Sequence, residues 1–132
     1  MADCDKALDV LPEDLEPLKY RIYNERCVAR AILGDTAGAI SDCDRALASS
    51  HGNAQFLDSR GYAHLRAGDW AMAVADYDAA LKQNPKMAVS LFGRGVAKAH
   101  LGKVEEGQAD LAAARALQPS IDQEMRRLHV TP

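Results

Sequence analysis

Cysteine and histidine are the side chains most ready for chemistry, and this chain of 132 residues holds three of the first and four of the second. Cys4, Cys27 and Cys43 form no C-x-x-C and the histidines form no H-x-x-x-H, so metal-ligand spacing is missing. A phosphate loop ending at Gly102-Lys103 would need glycine where Ala97 stands. Gly93-Arg94-Gly95 lacks its third glycine and falls inside a helical pattern instead of after a strand. There is no G-x-S-x-G, and Glu105 and Glu106, adjacent on a helix, cannot converge on one point. These residues supply no catalytic, cofactor or metal set, and the chain reads as a non-enzyme.

Regular spacing appears instead among charged residues. Arg26, Arg60 and Arg94 are each followed sixteen residues on by an aspartate, Asp42, Asp76 and Asp110. Such pairs meet only if the chain folds back between them. A shift of thirty-four residues also superimposes Ala29, Ala63 and Ala97, then Gly34, Gly68 and Gly102, then Ala46, Ala80 and Ala114. Self-similarity at that period marks a solenoid, whose units cannot bury their apolar faces alone.

The clearest unit runs over residues 54–87, and its apolar period is helical. Leu57, Gly61, His64 and Leu65 share one face, and after Gly68-Asp69 a second series runs Ala73, Tyr77, Ala80, Leu81. Two helices follow, Ala54–Ala67 and Trp70–Gln83, with Gly68 ending the first, Asp69 as N-cap of the second and Asn84-Pro85 closing it. Small residues at Gly61, Ala73 and Ala80 let the antiparallel pair approach closely.

This unit resembles a tetratricopeptide repeat, whose pattern is W-x-x-L-G-x-x-Y, then A-x-x-x-F, then P. Gly61, Ala73, Tyr77 and Pro85 stand on the family's Gly, Ala, Phe and Pro, whereas Leu57, Arg60 and His64 depart from its Trp, Leu and Tyr. The resemblance implies an all-α, right-handed superhelical solenoid of antiparallel helix pairs, a single domain over residues 1–132. Its repeats would span residues 20–53, 54–87 and 88–121, followed by a polar-faced capping helix over 121–129. The first repeat, with helices near residues 18–33 and 36–50, has Cys27 for the Gly and Cys43 for the aromatic. In the third, Gly107 and Leu111 replace Ala and Phe, which predicts a weakly packed helix Val104–Leu117.

The start of the chain repeats a second helix. Residues 2–8, ADCDKAL, match residues 41–47, SDCDRAL. Residues 2–12 are thus expected to be the second helix of a repeat whose first helix, and any further repeats or targeting signal, lie upstream. Its apolar face, Cys4, Ala7, Leu8 and Leu11, would then be open to self-association.

The resemblance also places Arg26, Arg60 and Arg94 where the family carries apolar core residues, and a buried guanidinium requires a partner. The expectation is a ladder of ion pairs to Asp42, Asp76 and Asp110, in the same or the adjacent repeat; an acidic ligand is the functional alternative. Equivalent core positions make the three cysteines buried thiols, with a Cys4 to Cys27 disulfide open to an exported parent.

Carrying the family's groove positions onto this chain gives Arg21, Asn24, Val28 and Ile32, then Gln55, Asp58, Tyr62 and Arg66, then Val89, Phe92, Val96 and His100. Members that grip chaperone carboxylate tails need Lys, Asn and Arg where this chain has Val28, Ser59, Val89 and Gly93. No such clamp is expected. Tyr62 and Phe92, beside Arg66 and Asp58, suit an extended or helical segment with an apolar anchor and a charged neighbour, though each residue would equally serve as packing between helices.

A net charge of −3 and a pI near 5.8 argue against nucleic acid, and no apolar run suits membrane insertion. The function expected is a protein-interaction module or scaffold for a peptide or partner helix, with no cofactor. A homo-oligomer built through the N-terminal helix and a regulatory segment of a larger enzyme are the alternatives. A soluble, by default cytoplasmic, location accompanies this reading, with export open if a signal lies upstream.

Overall fold

The structure, a computed structural model, describes residue 8 and residues 12–50 and 52–132. The expected self-association face at Cys4, Ala7 and Leu11 lies outside these residues. Leu8 is helical and buried, clustered with Tyr23, Ala46 and Phe56.

A 3-10 turn at Glu13–Leu15 leads into seven α-helices among the described residues: α1 (Glu16–Leu33), α2 (Thr36–Ser50), α3 (Ala54–Ala67), α4 (Trp70–Gln83), α5 (Ala88–His100), α6 (Val104–Leu117) and α7 (Ile121–Arg127). Pro17 sits in the first turn of α1, where its missing N–H has no helical partner to lose.

Each pair α1/α2, α3/α4 and α5/α6 is joined by a glycine in the left-handed region, Gly34 (φ 91°), Gly68 (φ 81°) and Gly102 (φ 85°). The N–H groups after these turns close the helices in the same way every time: Asp35 to Arg30 O, Asp69 to His64 O and Lys103 to Lys98 O, all at 2.9 Å. Asn53 caps α3, its Oδ1 accepting from the Gln55 and Phe56 amides. Asp69 stands at the N-cap of α4, yet its carboxylate makes no capping bond; it lies 3.6 Å from His64 Nδ1 instead.

The first helices of the pairs pack on one another, α1 on α3 and α3 on α5, while each second helix meets chiefly its flanking first helices. An array with direct contact along one layer only must curve toward it. α1, α3 and α5 therefore line the inner face.

Within pairs, small residues set the spacing. A Cβ on Gly61 would lie 3.1 Å from the Tyr77 ring. Between α5 and α6 the approach is backbone to backbone: a Cβ on Gly95 would come within 2.8 Å of Gly107 O, and one on Gly107 within 2.6 Å of Gly95 O. The weak packing expected of Val104–Leu117 is thus corrected, because two facing glycines allow a closer seat and Leu111 and Ala114 are buried there.

The expectations for the cysteines also need correction. Cys27 and Cys43 form a disulfide, with Cα atoms 5.4 Å apart, so neither is a buried thiol and Cys27 cannot pair with Cys4. Antiparallel packing explains it: residues 27 and 43 occupy the places of Gly61 and Tyr77, which touch in the next pair, so two cysteines there meet as well.

Candidate functional site

The regular arginines are held by two carboxylates each in the second and third pairs. Arg60 donates through Nε and Nη2 to Asp76, both at 2.9 Å, and through Nη1 to Asp44 at 3.1 Å. Arg94 does the same with Asp110 at 2.8 Å twice and with Asp78 at 2.8 Å. Arg26 forks onto Asp42 at 2.8 and 2.7 Å. One contact lies within the arginine's own pair and the other reaches the preceding pair, so the ladder runs along the solenoid.

Asp44 and Asp78 were missed as partners, though they were legible: each precedes its arginine by the same sixteen residues that separate the arginine from its other aspartate. The ladder ends where Ala112 stands in place of a third such aspartate. A second basic side chain repeats as well. Arg30, His64 and Lys98 approach Asp42, Asp76 and Asp110 at 3.0, 3.8 and 3.4 Å. The Asp76 and Asp110 carboxylates push the Arg60 and Arg94 guanidiniums further above their ordinary range. With both faces of the forks engaged, these six charges hold helices together.

The inner face is different. Val28, Asp58, Tyr62 and Val89, from three successive first helices, converge with Tyr77 on a cavity of about 60 Å³. Asp58 is half-buried at its wall, and desolvation drives its carboxyl up to about 6 even though Ser90 Oγ donates to it at 2.5 Å. Burial likewise raises Tyr62, opposed by the nearby Arg66 charge.

The other expected groove residues divide by neighbourhood. Arg21 and Gln55 are exposed, and Asn24 is half-buried with its Oδ1 lacking a partner among the described residues. Arg66 reaches back to the end of α1, donating to Ala31 O at 3.1 Å, which also accepts from the Gly34 amide, and to Ile32 O at 3.5 Å, so it serves carbonyls of the last turn. His100 stacks on Trp70 with ring centroids 3.9 Å apart. Phe92 is fully buried, and Val96 and Tyr62 are nearly so.

Tyr62 and Val96 are covered by the chain itself. α7 packs on α5 and α6, and its Met125 and the following Leu128 line the same cavity as Val28. Tyr62 Oη donates to Leu128 O at 2.6 Å. Val130 then enters a cleft lined by Leu65, Arg66, Trp70, Val96 and His100. The polar side expected of this helix is present, with Gln123, Glu124, Arg126 and Arg127 exposed, but Ile121 and Met125 are wholly buried. Sequence reasoning read this helix as an end cap. Its apolar i, i+4, i+7 series, Ile121, Met125 and Leu128, was the available signal that it has a face to bury.

Residues 59–121, from within α3 to the first residue of α7, match the tetratricopeptide repeat family. None of the curated proteins matches the chain. Among solved structures, the first TPR domain of Spaghetti (RPAP3) bound to the HSP90 peptide SRMEEVD is 22% identical, with a TM-score of 0.72 over 83% of this chain and 90% of that one. The first TPR domain of human RPAP3 is 22% identical, with a TM-score of 0.74 over 86% and 91%. The type III secretion translocator chaperone SycD of Yersinia enterocolitica is 15% identical, with a TM-score of 0.73 over 89% of each chain. At these identities the solved structures speak for the fold. The family match and the structural likeness both fall on the helix pairs that the thirty-four-residue period repeats: residues 59–121 match tetratricopeptide repeats, and the chain has the all-α fold of tetratricopeptide repeat domains.

Proposed function

We propose that the chain is a protein-interaction module whose inner face takes a short amphipathic helix from a partner, and that it is not an enzyme. The family's fold serves protein–protein interaction, and no helix among the described residues is long and apolar enough to cross a membrane. The observation that carries the finer reading is what already lies there. A seven-residue helix places Met125 in one cavity with Val28, Tyr62 and Val89, and the carbonyl of Leu128 just after it receives the Tyr62 hydroxyl. A surface that fits apolar side chains at i and i+3, Met125 and Leu128, and gives a donor to the carbonyl of the second suits a helix, read through its anchors.

The relative that binds an HSP90 peptide does not transfer its ligand here. Val28, Ser59, Val89 and Gly93 offer no cation where a carboxylate tail would need one, and Arg66 is engaged with Ala31 O. Asp58, half-buried beside Ser90 and desolvated, further favours a ligand that brings a Lys or Arg. A peptide library titrated against wild type and Tyr62→Ala tests this. The expected hits are helical, carry apolar residues at i, i+4 and i+7, and weaken at least tenfold on Tyr62→Ala. Tight binding of an acidic carboxylate tail, or hits indifferent to Tyr62, would overturn it.

A further inference from the structure

We propose that residues 121–132 are an intramolecular competitor for the inner face, so that the module is autoinhibited until a partner helix displaces them; this rests on the groove reading above. The segment does not merely close the end of the stack. A helix that only capped the last pair would touch α5 and α6, as α7 does, yet Leu128 just after it accepts from Tyr62 of α3, and Met125 and Leu128 line one cavity with Val28 of α1.

Its course is shaped for that purpose. Val130 N bonds to Met125 O at 2.9 Å and His129 N to Arg126 O at 3.0 Å, the paired closure seen at the glycine turns, but with His129 at φ 61° in place of glycine. A side chain in that region is disfavoured. The turn it makes returns Val130 to the same face as Met125, and both are buried beneath it.

The attachment is also of a kind that can be exchanged. The side chains that hold it are Ile121, Met125, Val130 and the half-buried Leu128 by packing, Tyr62 by one hydrogen bond, and, at exposed positions, Gln118 by a hydrogen bond to Glu124 and Arg115 by an ion pair to Asp122. Everything the segment offers the groove, a partner helix with the same apolar spacing also offers. Competition of this kind lowers apparent affinity by the fraction of molecules in the open state.

The test uses the full chain and a fluorescein-labelled peptide copying residues 119–132, with binding read by anisotropy. Met125→Glu in the chain places a charge against Tyr62 and Val89 and should expel the segment. The expected result is at least tenfold tighter peptide binding by Met125→Glu than by wild type, with the same charge in the peptide abolishing it. Equal affinity for both chains would mean an open groove, overturning autoinhibition while leaving the groove reading intact. Binding to neither chain, with the helical signal of wild type retained, would overturn both. Leu128→Asp serves in the same experiment if Met125→Glu does not fold.

Discussion

Asp58 shows what one desolvated, half-buried carboxyl does to a small solenoid. Burial is the larger influence and raises its pKa from 3.8 to about 6, while the Ser90 hydroxyl pulls the other way. The folded state then holds the proton more tightly than the unfolded chain. Stability from this group is complete below about pH 4 and falls as the pH rises to about 6, after which it stays level. A shift of about two units corresponds to about 3 kcal/mol. Asp58→Asn, which keeps an acceptor for Ser90, should abolish that decline and raise stability at pH 7 by a similar amount. Urea midpoints of both chains at pH 4.5 and 7 measure it, and a parallel decline in both would place the effect elsewhere. Asp58 came from the family's groove pattern, but its partner thirty-two residues on was illegible, because a helix period says which face a residue takes and not what lies opposite. Shape matching between pairs was hidden for the same reason. A Cβ on Gly93 would sit 2.5 Å from the Tyr77 ring, whereas Ser59 fills the equivalent place one pair earlier, where the smaller Cys43 replaces the tyrosine.

At the scale of the helix, boundaries were the most legible feature. The glycine turns and the Asn-Pro closure fix the ends of α3 and α4 chemically, and these helices span the expected residues. The ladder was legible only in part, since the spacing gives each arginine an aspartate sixteen residues on, and Arg60 and Arg94 another sixteen residues back, but which of the two the fork grips needs a side-chain direction that spacing does not supply. Its members also differ in burial. The Arg26 side chain is 8% exposed and Asp42 1%, against 29% for Arg60 and 20% for Arg94. Breaking a buried pair from one side leaves an uncompensated charge and costs about 3–5 kcal/mol, whereas exposed pairs contribute at most about 1 kcal/mol. Arg26→Ala should therefore lie in the first range, Arg60→Ala below it, and Asp44→Ala, at an exposed carboxylate, near the second. Arg60→Met with Asp76→Leu should be milder than Arg60→Ala, because no charge is stranded. Denaturant midpoints decide the order. An Arg26→Ala chain as stable as Asp44→Ala would show that the fork binds the helices weakly.

Over the whole molecule, stability passes between neighbours, and the joints are not alike. Arg60 ties the first pair to the second through Asp44 and Asp76, Arg94 ties the second to the third, and residues 121–132 bridge the inner face. That the last helix would turn inward was not readable: its spacing announced an apolar face, but only the curvature of the assembled stack decides which surface receives it. The first pair differs in having a covalent link where the others use Gly61 on Tyr77 and Gly95 on Leu111 and Gly107. Closing sixteen residues with a disulfide contributes about 3 kcal/mol by restricting the unfolded chain. In a nearest-neighbour array that loss should stay local. Reduction of Cys27–Cys43 is therefore expected to lower amide protection in α1 and α2 by about a hundredfold, the equivalent of about 3 kcal/mol. α5 and α6, two joints away, should be little changed. Hydrogen exchange of the oxidised and reduced chains, followed helix by helix, makes the comparison. An equal loss from α1 to α7 would mean that the ladder and the inward segment couple all three pairs into one cooperative unit, and that the disulfide sets the stability of the whole.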